Sequence, residues 1–374
     1  MKIYKMIPFA IISSILIFSC GGSSKNVEPD PPEPTQFRKK AKTEDVFGQI
    51  DDIENGIIIP REYTTETVES SPNAKSVTQI TSNNEKDVSI KDPDHHPVDE
   101  IIIYTEYREP SGFDLDLHYS SVIWSQNPEA KARVRVTEGT FNNSQAVFNN
   151  SGTDIIFSSA RSNKNRGIWK IKSDGLGGIL KLTEFSTSSL QHPTIGALDQ
   201  IAFHAVDPRY KSNDGDDERP FIWLMADDGS LPTQLRYGRN PNFSPAGNII
   251  VFTRKDERNA MGQIFTMDTD GGAITQLTFN VDYDIKDPAW DPSGSFITYV
   301  SNEGKTAAES DTTDLQSNND YNIWVMRSDG TNKTQLTTNQ SHDEQPVFNP
   351  DGEYIYFRSN RGGFWNVWRF EPVF

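Results

Sequence analysis

The segment Pro241-Asn242-Phe243-Ser244-Pro245-Ala246-Gly247, continuing as Asn248-Ile249-Ile250-Val251-Phe252-Thr253-Arg254-Lys255, reads as a short strand, a tight turn and a second strand. Proline presets φ in such a turn, and glycine takes a positive φ with no Cβ to clash. Asn248 to Lys255 alternates and is rich in β-branched residues, as a half-buried strand should be. Further on, Gln263 to Met267 predicts a third strand, and Asp270-Gly271-Gly272 turns the chain into a fourth, Ala273 to Thr278. Four short antiparallel strands in chain order make one propeller blade.

The unit recurs along the chain. Its third strand carries Ile123-Trp124, Ile168-Trp169, Ile222-Trp223, Ile264-Phe265, Ile323-Trp324 and Val367-Trp368. Successive copies lie roughly 42 to 59 residues apart, the spacing of a repeat architecture. The first turn returns as Asn149-Asn150-Ser151-Gly152, Asp291-Pro292-Ser293-Gly294 and Asn349-Pro350-Asp351-Gly352. Outer strands end alike in Leu180-Lys181-Leu182-Thr183, Thr275-Gln276-Leu277-Thr278 and Thr334-Gln335-Leu336-Thr337. Six copies predict an all-β chain, a six-bladed β-propeller of four-stranded antiparallel blades over residues 76–374. The aromatic of each pair is expected to pack between neighbouring blades.

Two blades depart from the pattern. The first is read as running from His96-Pro97 straight into Glu100 to Tyr107, without a Pro-Asp-Gly turn, and the third has Gly196-Ala197-Leu198-Asp199 in its place. The sixth ends with its third strand, Phe364 to Phe370. Val77-Thr78-Gln79-Ile80-Thr81 resembles the other outer strands but precedes the first blade. It is expected to complete the sixth, closing the ring and leaving no open sheet edge.

Pro288-Ala289-Trp290-Asp291-Pro292-Ser293-Gly294 and Pro346-Val347-Phe348-Asn349-Pro350-Asp351-Gly352 share a Pro-x-Phe/Trp-x-Pro-x-Gly pattern. With the Gln-Leu-Thr endings, this resembles the TolB-type six-bladed propeller family over about residues 76–374. The resemblance implies the fold and leaves function open, because binding proteins and enzymes both use such propellers. It does not reach TolB itself, which is not lipid-anchored and carries an α/β domain before its propeller. Roughly 55 residues between Cys20 and Ser76 are too few for one.

The N-terminus is read as a lipoprotein signal over residues 1–19. Lys2 and Lys5 precede an apolar run from Ile7 to Phe18, too short to span a bilayer as a mature helix. Ile17-Phe18-Ser19-Cys20 resembles a bacterial lipobox, which implies cleavage before Cys20, lipidation of that residue and a membrane anchor. Gly21 after the cysteine points to the outer membrane of the cell envelope, by analogy with enteric bacteria. Cys20 is the only cysteine, so no intramolecular disulfide forms. Residues 20–42 form a Pro/Gly/Ser-rich tether. Residues 43–75 are a short pre-propeller segment, in which Thr43 caps a helix presenting Val46, Phe47, Ile50 and Ile53.

Lys and Arg total 36 against 53 Asp and Glu, a net charge of −17. That excludes a nucleic-acid partner, whose phosphates require a basic footprint. A mean hydropathy of −0.62 excludes a polytopic membrane protein. The connections between second and third strands are long in the first (Arg108 to His118), third (Asp207 to Pro220) and fifth (Asn302 to Tyr321) blades. They would raise three acidic walls around one channel mouth, with Glu109, Asp114 and Asp116, then Asp214, Asp216, Asp217 and Glu218, then Glu303, Glu309, Asp311 and Asp314. The run Asn213 to Glu218 fails the EF-hand spacing for calcium. Aligned before the repeat's proline, His96, Gln145, His192, Asn240, Asp287 and Gln345 are the candidate channel-mouth ring.

Of these, His192, Asp287 and Gln345, with His342, are candidate ligands for a divalent cation, the one cofactor considered. Oligogalacturonate lyases, related propellers, hold a metal with His and Gln residues, and His342-x-x-Gln345 is similar to that arrangement. No Gly-x-Ser-x-Gly, His-Glu-x-x-His or phosphate-binding Gly-rich motif occurs. The expectation is therefore a non-enzymatic, lipid-anchored envelope protein binding a protein or envelope polymer through its acidic-looped face. The alternatives are a metal-dependent polysaccharide lyase or hydrolase at the mouth, and a purely structural envelope lipoprotein.

Overall fold

Six antiparallel sheets of four strands follow one another along the chain. The computed structural model describes residues 53–54, 57–58 and 71–374, except 110–119, 140, 163–164, 185–187, 207–218, 256–260, 281, 304–320 and 340. Blade 1 comprises Val88–His95, Ile102–Arg108, Ser120–Gln126 and Arg133–Arg135. The inner strands of blades 2 to 6 are Asn143–Phe148, Ser189–Ile195, Arg239–Phe243, Ile285–Trp290 and Asp343–Phe348. In each blade the second, third and outer strands lie in order outward from the inner one.

The sixth blade is completed by Ala74–Gln79, which pairs antiparallel with Asn366–Pro372, setting Gln79 opposite Trp368. This strand makes the bonds of an outer strand in full. The Thr81 hydroxyl accepts the Val367 amide at 2.9 Å. Thr137, Thr183, Thr278 and Thr337 do the same for Ile123, Ile168, Ile264 and Ile323 at 2.9–3.0 Å. The Gln79 carboxamide donates to the Thr81 carbonyl, as Gln276 and Gln335 do two residues ahead of Thr278 and Thr337. Blade 3 has Arg236 in the threonine position and a bulge between third and outer strands instead.

The recurring Ile-Trp pair works on two sides. Consecutive strand residues point to opposite faces of the sheet. Ile123 of blade 1 therefore shares a core with Trp169 of blade 2, and Ile168 with Trp223 of blade 3. The series runs on as Ile222 with Phe265, Ile264 with Trp324, Ile323 with Trp368, and Val367 with Trp124, back to the start. All six aliphatic members are 0 % exposed, whereas of the aromatics only Trp169 and Trp368 are buried, at 8 % and 1 % exposed. The expected interblade role of the aromatics thus holds, but the drier half of each pair is the aliphatic one. Each such side chain contributes about 1.5–3 kcal/mol by burial.

Before the propeller, Ile53–Glu54 pairs antiparallel with Ile57–Ile58. The helix expected to extend to Ile53 gives way there to a β-ladder. Asn55-Gly56 between two apolar β-branched stretches is a strong hairpin signal that outweighs the helical spacing of Val46, Phe47, Ile50 and Ile53. The signal, Cys20 and the tether lie outside the described residues.

Candidate functional site

Every inner strand is interrupted at one point. Asp92, Gln145, His192, Asn240, Asp287 and Gln345 all adopt positive φ, between 49° and 56°. Each sits in a register shift against the second strand, as between Lys91 and Asp94 or Lys286 and Ala289. A bulge of this kind re-aims the backbone and is costly for residues other than glycine unless the surroundings compensate.

The compensation comes from the neighbouring blade. The Gln345 carboxamide oxygen accepts the Asp92 amide at 2.8 Å, and Asp92 accepts that of Gln145 at 3.1 Å. Gln145 in turn accepts the His192 amide at 3.0 Å. At the next step His204, stacked on His192 with ring centroids 5.2 Å apart, accepts the Asn240 amide at 3.3 Å. Asn240 donates to the Asp287 carboxylate at 2.5 Å, and Gln345 donates to Asp92 at 2.7 Å. The polar character of the ring is thus largely used in holding blade to blade.

Five of the six residues expected at the mouth are in this ring, and His96 is not. Its place belongs to Asp92. His96 lies at the following turn, where its Nδ1 accepts the Val98 and Asp99 amides at 3.2 and 2.8 Å. That is the corner that Asn149, Asp291 and Asn349 fill in blades 2, 5 and 6. Its Nε2 lies 3.2 Å from the Gly152 carbonyl, and a Cβ on Gly152 would collide with the ring.

Inside the ring is a channel of about 130 Å³. That is room for a few waters and falls below the about 300–1,000 Å³ of pockets enclosing drug-sized ligands. A second hollow of about 310 Å³ lies at the seam between the N-terminal strand and blade 1. Its two arginines are already paired, Arg108 with Glu85 at 2.7 Å and Arg133 with Glu106 at 3.0 Å.

Charges flank the ring on the side where the second strands end. Glu344 bridges Lys286 and Arg358 at 2.9 and 3.0 Å. Burial opposes ionisation of Glu344, yet the two cations outweigh it and hold the carboxyl below its usual range. Burial likewise works against the Asp92 charge, but Lys91, His192 and the bonds from Gln145 and Gln345 keep its pKa low. For Asp287, burial prevails over Lys286 and raises the pKa. Burial pushes His192 down and His204 well down, consistent with the neutral, accepting imidazole that the Asn240 bond requires.

Among the described residues no three His, Cys, Asp or Glu side chains converge as a metal site. Of the candidate ligands, Asp287 and Gln345 are engaged by Asn240 and Asp92, and His192 is stacked on His204. His342 does not line the channel and packs near Tyr321 and Trp365, with centroids at 6.2 and 6.1 Å. Of the acidic walls, Glu109 and Glu303 are described, whereas Asp114, Asp116, Asp214, Asp216, Asp217, Glu218, Glu309, Asp311 and Asp314 lie outside the described residues.

No family model matches the chain. A segment of 147 residues is 30% identical to a protein TolB homolog of Chlorobium luteolum, covering 38% of this chain and 29% of that protein. Among solved structures, TolB from Agrobacterium tumefaciens superposes with a TM-score of 0.54 at 18% identity, over 79% of this chain and 97% of that one. The fold is a TolB-like six-bladed β-propeller. As a TolB-like propeller the chain is only distantly similar in sequence and is not TolB itself. It spans 25–29% of the length of the first curated relatives it matches. An oligogalacturonate lyase from Vibrio parahaemolyticus superposes with a TM-score of 0.51 at 12% identity, over 81% of this chain and 95% of that one. The TolB-like shape therefore fixes architecture and not activity.

Two features of this site are not legible in the sequence. Asp92 was hidden because Pro93 and Pro97 both fit the repeat's proline, and only the turn that follows tells them apart. The basic residues Lys91, Arg166 and Arg358 come from three different blades, and no linear spacing links them.

Proposed function

We propose that the protein is a lipid-anchored component of the bacterial cell envelope that binds a protein or envelope polymer on the channel-mouth face. The observation that carries this reading is the use of the ring. Its side chains are mostly spent on blade-to-blade bonds around a channel of about 130 Å³, so recognition falls to the surface around the mouth. A rigid scaffold carrying long loops is where binding commonly resides. The TolB-like fold supports an envelope binding role, and the Lys2, Lys5 and Cys20 pattern supports the anchor. A metal-dependent lyase would draw on the fold shared with oligogalacturonate lyase, but Asp287 and Gln345 are engaged by Asn240 and Asp92, and no three His, Cys, Asp or Glu side chains converge among the described residues.

The test is an envelope pull-down comparing the full chain with a variant lacking residues 304–318 of the blade 5 loop. Partner recovery should fall at least tenfold in the variant at unchanged melting temperature. Equal recovery removes that loop as part of the binding surface.

A further inference from the structure

The mouth holds positive charge that the ring neutralises only in part. Lys91 lies in the inner strand of blade 1, Arg166 leads into the third strand of blade 2, and Arg358 is in the second strand of blade 6. Among the described residues Arg166 bonds only neutral oxygens, Ser144 Oγ at 2.6 Å, Asn142 Oδ1 at 2.5 Å and Ser158 Oγ at 3.3 Å. Arg358 reaches across to Ser89 of blade 1 at 2.9 Å and stacks on Trp365 at 3.6 Å. It shares its one carboxylate, Glu344, with Lys286, and its buried Nε has no acceptor among the described residues. Lys91 packs over the Tyr107 ring at 4.8 Å and has no ion-pair partner within reach among the described residues.

Lys91 is close enough to Arg358 and Arg166 to be repelled by both. Burial lowers the pKa of all three, the Asp92 carboxylate opposes it at each, and Arg358 and Arg166 both depress Lys91. The Asp92 carboxylate, which also accepts from Gln145 and Gln345, attracts all three, but one negative charge does not balance them. In a chain of 53 acidic and 36 basic residues, three half-buried cations sharing so little carboxylate run against composition. Under-neutralised buried charge costs stability, which a bound anion restores.

We propose that this arc of blades 6, 1 and 2 is an oxyanion-binding site, in which Lys91, Arg166 and Arg358 receive one carboxylate or phosphate group. The proposal deepens the binding reading of this face and rests on it. Arginine presents planar donors matched to such a group, and lysine adds a mobile point charge. The net charge of −17 repels extended polyanions, so the group is carried on an otherwise neutral or basic body.

Thermal melts of the full chain in acetate or inorganic phosphate, at ionic strength fixed with chloride, test the site. The melting temperature should rise saturably by several degrees with at least one anion and stay flat in Lys91→Gln and Arg166→Gln. The larger response tells a carboxylate from a phosphoryl ligand. No saturable rise, or an equal rise in both variants, overturns the site. In chloride alone Lys91→Gln should melt at or above the wild type, because it removes an under-neutralised cation. A markedly lower melt would make Lys91 structural and overturn the site as well. Neither anion is the envelope partner, so a failed pull-down and a failed anion response remain distinguishable.

Discussion

Asp94 shows how one side chain is tuned by its blade. Its carboxylate accepts the Phe148 amide of blade 2 at 2.9 Å, and burial pushes its pKa up to about 7. Asn242 makes the equivalent bond to Trp290 at 3.0 Å with no charge. Since the unfolded value is near 3.9, the folded state holds the proton more tightly between about pH 4 and 7. Stability is therefore lost as pH rises through that window. Asp94→Asn keeps the bond and removes the titration. Its melting temperature should match the wild type near pH 4 and exceed it by about 2–4 °C or more at pH 8. Parallel curves across pH 4–8 would refute the buried acid. Single residues were also where the sequence was hardest to read. Gln145, His192, Asn240, Asp287 and Gln345 were visible from their alignment at the position before the repeat's proline. His96 was mistaken for Asp92 because the two precede prolines four positions apart.

At the level of elements, strands were legible wherever alternation, turn residues and repetition agreed. The outer strand of blade 6 was readable from Val77-Thr78-Gln79-Ile80-Thr81, because its Gln and Thr side chains make the local bonds that Gln276, Thr278, Gln335 and Thr337 make in blades 4 and 5. The pre-propeller ladder was not, since two-residue strands leave almost no periodicity. Deleting residues 71–81 removes both the outer strand and Val77 and Ile80 from two interblade cores. A fall of more than about 10 °C in melting temperature is expected by calorimetry. Thr81→Val, which removes only the hydroxyl that accepts the Val367 amide, should cost about 1–3 kcal/mol. Thr337→Val should cost a similar amount if the N-terminal strand is equivalent to the others. An unchanged melt after the deletion would contradict the closure.

Across the whole molecule, six copies of one pattern determined the architecture, while the distribution of charge around the mouth was set by which residues the folded blades bring together. A net charge of −17 describes the surface at long range, yet the arc at Lys91, Arg166 and Arg358 is locally basic. Composition shows the first and conceals the second. Partner capture through such a mouth should weaken several-fold as salt rises from about 0.05 to 0.3 M, because screening shortens with the Debye length. Capture independent of salt would point to an apolar contact instead.

The closing strand also imposes an order in time. The Thr81 hydroxyl and the Val367 amide it accepts are 286 residues apart. At about 5–20 residues per second, synthesis separates them by roughly 15–60 s. Until the third strand of blade 6 emerges, Ala74–Gln79 has no strand to pair with, and the last blade stays without its outer strand. Two nascent copies held close together are thus able to exchange their first strands, yielding a pair of wheels each fastened by the other's leading segment.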